Sequence, residues 1–279
     1  MASAYLITQA NTVYTGTSGN DTIDFRTAGG VTIRGLAGND LISADGNGTG
    51  DPATYSAANA LIAGNLGNDT IALSAIEGTN WSVFGGAGSD VISASNVSAS
   101  VGFFQGGGGA DTLQFTGGFE SNSFTIGLND GADNLFISAF SGNSAIIAGG
   151  AGNDTVTLTA MGGDVGSTIN GGGGADSIVL TGASLTRSFF QGGAGADTMT
   201  MMVSAPAPLQ RSTVVQVLTP SHSVQATSMI PSSAATPLVK VELALTPSPS
   251  TVMPSVPFPS KVPAVLTPSP TPPIHRPVS

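Results

Sequence analysis

Nine aspartates carry the chemistry this chain can offer: Asp21, Asp40, Asp69, Asp90, Asp111, Asp133, Asp154, Asp176 and Asp197. Each closes a glycine-rich segment, in its clearest form Gly106–Asp111, Gly149–Asp154, Gly171–Asp176 and Gly192–Asp197. Their separations are 19, 29, 21, 21, 22, 21, 22 and 21 residues, a period that predicts a solenoid. Stacked coils bring equivalent carboxylates to about 4.8 Å, the spacing of neighbouring strands. Two charges at that distance repel by about 3–4 kcal/mol at an effective dielectric near 20, and by under about 1 kcal/mol in water. Such a column needs a cation, protonation, or splaying into solvent. Carboxylates and the carbonyls of glycine turns are hard oxygen donors, which suit calcium better than magnesium or zinc. One aspartate in a glycine turn is explained by its local side-chain bonds; nine at a shared position are not.

The elements that position them follow from alignment on each aspartate. Seven residues before it stand Tyr14, Ile33, Ile62, Val83, Phe104, Ile126, Ile147, Ile169 and Phe190. Two after it stand Ile23, Ile42, Ile71, Ile92, Leu113, Leu135, Val156, Ile178 and Met199. A third column, four after it, runs Phe25, Ala44, Leu73, Ala94, Phe115, Ile137, Leu158, Leu180 and Met201. Polar types fill the places between, so the period is two and the elements are strands. The expectation is an all-β, parallel β-roll or β-helix-like solenoid of about nine coils, each reading strand, glycine turn, strand and looser return turn. No segment combines helix caps with apolar residues at helical spacing.

Composition divides the chain near Val203. Residues 1–203 hold all 39 glycines, 16 acidic groups and only Arg26, Arg34 and Arg187, for a net 3 − 16 = −13. Residues 204–279 hold no glycine, 16 prolines, one acid and four basic residues, for a net +3. A body this acidic repels nucleic acid and anionic membrane and attracts cations. The absence of cysteine removes disulfide frameworks and thiolate metal sites. No apolar run approaches bilayer-spanning length. The first ten residues lack the basic and apolar regions of a removable signal peptide, so export would use a different address.

The turns resemble the Gly-Gly-x-Gly-x-Asp-x-aliphatic repeat of RTX proteins, the hemolysin-type calcium-binding family. The resemblance covers roughly residues 14–202. It implies a parallel β-roll with calcium between stacked turns, held by aspartates and turn carbonyls. By motif, the carboxylate ligands are Asp90, Asp111, Asp154, Asp176 and Asp197, with Asp21, Asp40, Asp69 and Asp133 matching in part. The carbonyl ligands are those of Gly106, Gly108, Gly149, Gly171, Gly173 and Gly192. Family repeats recur every nine residues and bind on both edges of the roll; here the motif comes once per 21 or so, so one edge is expected to bind. An insertion around Gly46–Tyr55 and a displaced glycine in Gly127–Asp133 lower the expected number of sites below eight. The opposite turns, such as Thr116–Asn122 and Thr181–Arg187, show no consistent ligand pattern.

Other chemistry is poorly supplied. An outward column of Thr22, Thr70, Thr112, Thr155 and Thr198 would suit ice or glycan, but Leu41, Val91, Asn134 and Ser177 interrupt it, and threonine favours exposed strands anyway. Trp81, Phe103 and Phe189 read as packing residues rather than a sugar platform. Residues 1–203 contain no His, Lys or Cys, so the chain is expected not to be an enzyme. The reading is a calcium-binding structural or adhesive protein, secreted or on the cell surface. Its partners would be calcium ions, with cell-surface glycan or self-association as further possibilities. The alternative is an accessory repeat module of a larger secreted enzyme or toxin.

Residues 204–279 cannot build a core and are expected to be disordered. They also carry three echoes, Val217–Ser221, Ala244–Ser248 and Val265–Ser269. With the reading frame moved back one base, codons for these segments can spell glycine-rich repeats ending in Ala-Asp-Thr-Ile. The hidden aspartates would align with Thr219, Thr246 and Thr267, at intervals of 22, 27 and 21 residues from Asp197 onward. The expectation is a frameshift near Met202–Pro206, leaving the edge after Met201 without its natural continuation.

Overall fold

A computed structural model describes residues 3–26, 30–44, 55–121, 123–142, 144–159, 166–183, 188–203, 214–218, 224–225 and 240–244. The described residues hold strands and turns but no helix. No described helix is therefore long and apolar enough to cross a membrane.

Each coil contributes one strand before the glycine turn and one after it, and like strands of successive coils pair in parallel. The leading strands form an 11-stranded sheet, and the trailing strands form the backbone of a second, 14-stranded one. The coil around Asp111 is typical: Val101–Gly108 leads, the turn follows, and Thr112–Ser121 trails. The strand Val101–Gly108 alternates exposed or half-buried residues with buried ones, as a strand with one face on a core must.

The expected columns are interior ladders. In the leading sheet Ile33 stands beside Ile62, Val83 beside Phe104, and Ile147 beside Ile169. The trailing sheet aligns Ile71 with Ile92 and Leu113 with Leu135. These residues are almost wholly buried in one continuous core. Each such side chain contributes about 1.5–3 kcal/mol by leaving water. Phe104 meets Phe115 edge-on across the core at a centroid distance of 4.9 Å. Tyr5 and Tyr14 pack against this core at 4.7 Å from each other.

A further interior column, nine residues before each aspartate, was not evident from sequence. Trp81 pairs with Gly102, Gly102 with Phe124, and Phe124 with Ala145, so large and small residues alternate. A Cβ on Gly102 would lie 3.1 Å from the Phe104 ring. Trp81 is buried, as expected of a packing residue, and its indole N–H donates to the Glu77 carbonyl at 2.9 Å.

The return edge differs from the expected loose turns. The segment read as the opposite turn beginning at Thr116 is strand through Ser121, joined to Val91–Ala99 across a register shift at Ser95/Val97. Short strands Tyr55–Ala58, Ile76–Thr79 and Phe140–Gly142 add to the trailing sheet here. Most of the insertion around Gly46–Tyr55, and the opposite turn at its Arg187 end, lie outside the described residues. So does most of the segment after Val203. Within it, Val214–Leu218 and Lys240–Ala244 continue the leading sheet, and Val224–Gln225 pairs with Met199 and Thr200.

Candidate metal centre

The glycine turn has three distinct demands. Four and two residues before the aspartate the backbone enters the left-handed region, as at Gly107 (φ 127) and Gly109 (φ 124), where glycine carries no steric cost. Five residues before it the glycine has an ordinary φ but no room for a side chain. A Cβ on Gly85 would lie 2.5 Å from the Asp90 Oδ2 and 2.5 Å from the Gly106 carbonyl oxygen. Each such glycine opens a small space between its own coil's aspartate and a carbonyl of the next coil. Gly106, Gly171 and Gly192 supply that carbonyl for the spaces at Gly85, Gly149 and Gly171. The Gly108 and Gly173 carbonyls instead accept hydrogen bonds from the N–H of Gly88 and Gly152, at 2.7 and 2.6 Å.

The aspartates do not splay into solvent. All nine are buried, from Asp21 through Asp197. They form a directional chain: the N–H of Asp90 donates to the Asp111 Oδ1 at 2.8 Å, that of Asp111 to Asp133 at 2.7 Å, and that of Asp154 to Asp176 at 2.9 Å. The pattern starts at Asp21, whose N–H donates to Asp40, and ends with Asp176 donating to Asp197. One oxygen of each accepting carboxylate is thereby satisfied. The other, Oδ2, is buried without a hydrogen-bond partner in Asp40, Asp69, Asp90, Asp111, Asp133, Asp154, Asp176 and Asp197.

Asp21 is the exception. Its Oδ2 accepts from the Thr17 N–H at 2.6 Å and its carboxylate from the Thr17 hydroxyl. Asp133 departs differently. Where other coils have glycine five residues before the aspartate, this one has Leu128, fully buried. The displaced glycine of Gly127–Asp133 thus places an apolar side chain where the other turns leave space.

Eight unpartnered carboxylate oxygens in one column are costly in electrostatic terms. Burial pushes the Asp69 and Asp111 carboxyls up to about 7, against the N–H bonds that favour ionisation, with neighbouring aspartates adding to the rise. Asp133 and Asp176 rise to about 6 for the same reasons. Asp40, Asp90 and Asp154 are raised as well, chiefly by burial. A cation beside Oδ2 would reverse this and hold the carboxylates ionised.

A second column was missed in the sequence. The residue before each aspartate stitches coils in the opposite direction: the Asn39 N–H donates to Asn20 Oδ1 at 2.9 Å, Asn68 to Asn39 at 3.0 Å, and Ser89 to Asn68 at 2.8 Å. Ala175 donates likewise to Asn153 at 2.7 Å. Because Asn, Ser and Ala mix at this position, only the recurrence of Asn at Asn20, Asn39, Asn68 and Asn153 could have signalled it.

The donor set fits a hard cation. Orphaned carboxylate oxygens and turn carbonyls share one edge, and the sequence holds no cysteine to supply a thiolate. Among the described residues no three His, Cys, Asp or Glu side chains converge on one point. The column offers one carboxylate per coil, so backbone carbonyls must complete any ligand sphere. The model of the RTX calcium-binding nonapeptide repeat matches in four copies, over residues 27–47, 82–96 and 142–160. These stretches contain Asp40, Asp90 and Asp154. No curated protein and no solved structure matches the chain.

Proposed function

We propose, from the premise that three stretches of the chain match RTX calcium-binding repeats, that the aspartate column is its calcium-binding machinery, serving a structural or adhesive role outside the cell. One observation carries the reading: the eight buried, unpartnered Oδ2 atoms, with turn carbonyls beside the glycine spaces. Asp40, Asp69, Asp90, Asp111, Asp154, Asp176 and Asp197 would supply carboxylate, with carbonyl donors among Gly106, Gly149, Gly171 and Gly192. The Gly108 and Gly173 carbonyls already accept an N–H each and would have to share. Asp21, bonded to Thr17, and Asp133, beside Leu128, are the weaker members. Calcium supplies positive charge to the column, and the chain supplies aligned oxygens and keeps water away.

Binding to native turns adds to folding stability, by about 2.7 kcal/mol per site at a hundredfold excess over Kd. The extracellular part of the reading sets the affinity to expect, since extracellular calcium modules bind at about 0.1–1 mM. The test is a calcium titration of EGTA-treated protein followed by circular dichroism. The expected outcome is a cooperative gain of β-structure at about 0.1–1 mM calcium, with magnesium at equal concentration far less effective. A chain fully folded in EGTA, with a melting temperature unmoved by calcium, sinks the reading.

A further inference from the structure

The outer face of the leading sheet has a two-coil rhythm unrelated to the aspartates. Eight residues before each aspartate, Leu61, Phe103, Ile146 and Phe189 point outward, and between them stand Ser82, Thr125 and Thr168. The register places them side by side, Leu61 beside Ser82, Ser82 beside Phe103, Phe103 beside Thr125 and Thr125 beside Ile146. Large apolar and small hydroxyl residues therefore alternate at about 4.8 Å per step. Calcium at the turns has no use for this alternation, and neither does the interior, which these side chains do not enter.

The neighbouring outward column, six before the aspartate, varies in the same way. Phe84 stands near Phe103, with ring centroids 5.4 Å apart, while Gly127 and Ala148 leave low ground farther along. Parallel sheets are normally covered on both faces, and this one carries half-buried aromatic rings on its open side.

We infer that this face docks a second copy of the same chain. A two-fold axis between the Phe103 and Thr125 strands, lying along the strands, turns the face onto itself with coil order reversed. Phe103 then meets the partner copy's small position at Thr125, and Ile146 meets that at Ser82. Phe84 lies over the small position at Ala148, and Gln105 over that at Gly127. Knobs meet holes at these central positions, the self-complementarity an isologous interface requires, while Arg34 falls over Gln191 at the margin. Reversed coil order keeps the strand directions aligned, as in face-to-face sheet packing about 10 Å apart.

Charge points to the same face. Residues 1–203 carry −13, so two copies repel over most of their surface. These two outward columns hold no carboxylate, and their one charge is Arg34. The trailing sheet, by contrast, presents Asp24 on its outer face. About eight overlapping strands, each about 4.8 Å wide, give a footprint of roughly 500 Å² per copy. The total of roughly 1,000 Å² lies at the lower limit for a specific interface, the size of weak, reversible encounters.

The test is sedimentation of the full, calcium-loaded chain from about 1 to 100 µM. A monomer–dimer equilibrium is expected, weakened at least tenfold by Phe103→Asp. Ser82→Arg, which fills a hole instead of removing a knob, gives the same loss if the aspartate variant fails to fold. Val91→Asp, on the trailing sheet's outer face, leaves the equilibrium unchanged. The chain has no natural cysteine, so Thr125→Cys, beside the two-fold, should be captured as a dimer by a bismaleimide with a reach of about 10 Å, the separation of face-to-face sheets, whereas Thr157→Cys should not. The inference is overturned by a monomer at every concentration, by association indifferent to both leading-sheet variants, or by equal cross-linking at Thr157→Cys. A monomer that instead binds cellohexaose, and loses it in Phe103→Asp, assigns the face to a glycan and overturns the dimer.

Discussion

Asp111→Asn should move the stability of this chain in opposite directions with and without calcium. The amide keeps the oxygen that accepts the Asp90 N–H at 2.8 Å. In place of the orphaned Oδ2 it puts an NH2, and the Leu128 carbonyl borders the same space as an acceptor. What disappears is charge. The carboxyl ionises near 7 in the fold and near 3.9 in an unfolded chain, a gap equivalent to about 4 kcal/mol once both are ionised. At pH 8 without calcium the substitution should therefore recover about 2–4 kcal/mol, or roughly 5–15 °C in melting temperature. With calcium at a hundredfold excess over Kd, losing a ligand that serves both adjoining gaps should remove about 2.7 kcal/mol at each, about 5.4 kcal/mol in all, which exceeds the roughly 2–4 kcal/mol recovered. The assay is thermal melting by circular dichroism in EGTA and in calcium, with trimethylamine N-oxide added to both if the metal-free chain is unfolded. A variant less stable in both conditions, or more stable in both, refutes the reasoning.

The same ionisation gives the metal-free chain a definite pH dependence. Asp69 and Asp111 near 7, with Asp133 and Asp176 near 6, hold protons in the fold that the unfolded chain releases near pH 4. Stability in EGTA therefore falls as pH rises from about 4 to 7, and a denaturant midpoint higher at pH 5 than at pH 8 is the check. Gly149→Ala drives a Cβ against the Gly171 carbonyl and to 2.6 Å from the Asp154 Oδ2, whereas Gly108→Ala meets nothing within 4 Å. The first should cost about 1–3 kcal/mol and raise the calcium midpoint; equal melting curves for the two would contradict the geometry. For the segment after Val203 we propose the frameshift, and the gene decides it: a stop codon in the upstream frame, or no glycine–aspartate repeats there, ends the idea.

Much of this was legible in residues. The ladders of Ile33, Ile62 and Val83, and of Ile71, Ile92 and Leu113, are apolar in every coil, so a fixed period exposes them. The column of Trp81, Gly102, Phe124 and Ala145 hid because large and small residues share one volume between neighbouring coils. Alignment of the sequence sees columns, and packing sees pairs. The aspartates announced their stacking, but not that one oxygen would be tied to the adjacent coil's N–H and the other left bare. That depends on the path of the turn, fixed by left-handed residues such as Gly107 and Gly109 rather than by the aspartate. The return edge departs from a loose turn at Thr116 because the trailing strand runs on to Ser121 across a register shift that breaks the period of two.

Leu128 has a consequence beyond its own turn. A stack of this kind is a one-dimensional lattice, and order passes along it only from neighbour to neighbour. A leucine in a glycine site is a substitutional defect in such a lattice. The turns from Asp40 to Asp111 lie on one side of it and those from Asp154 to Asp197 on the other. The aspartate chain still runs through the defect, from Asp111 to Asp133 and on to Asp154, so the stack stays one cooperative unit while its row of glycine spaces is parted in two.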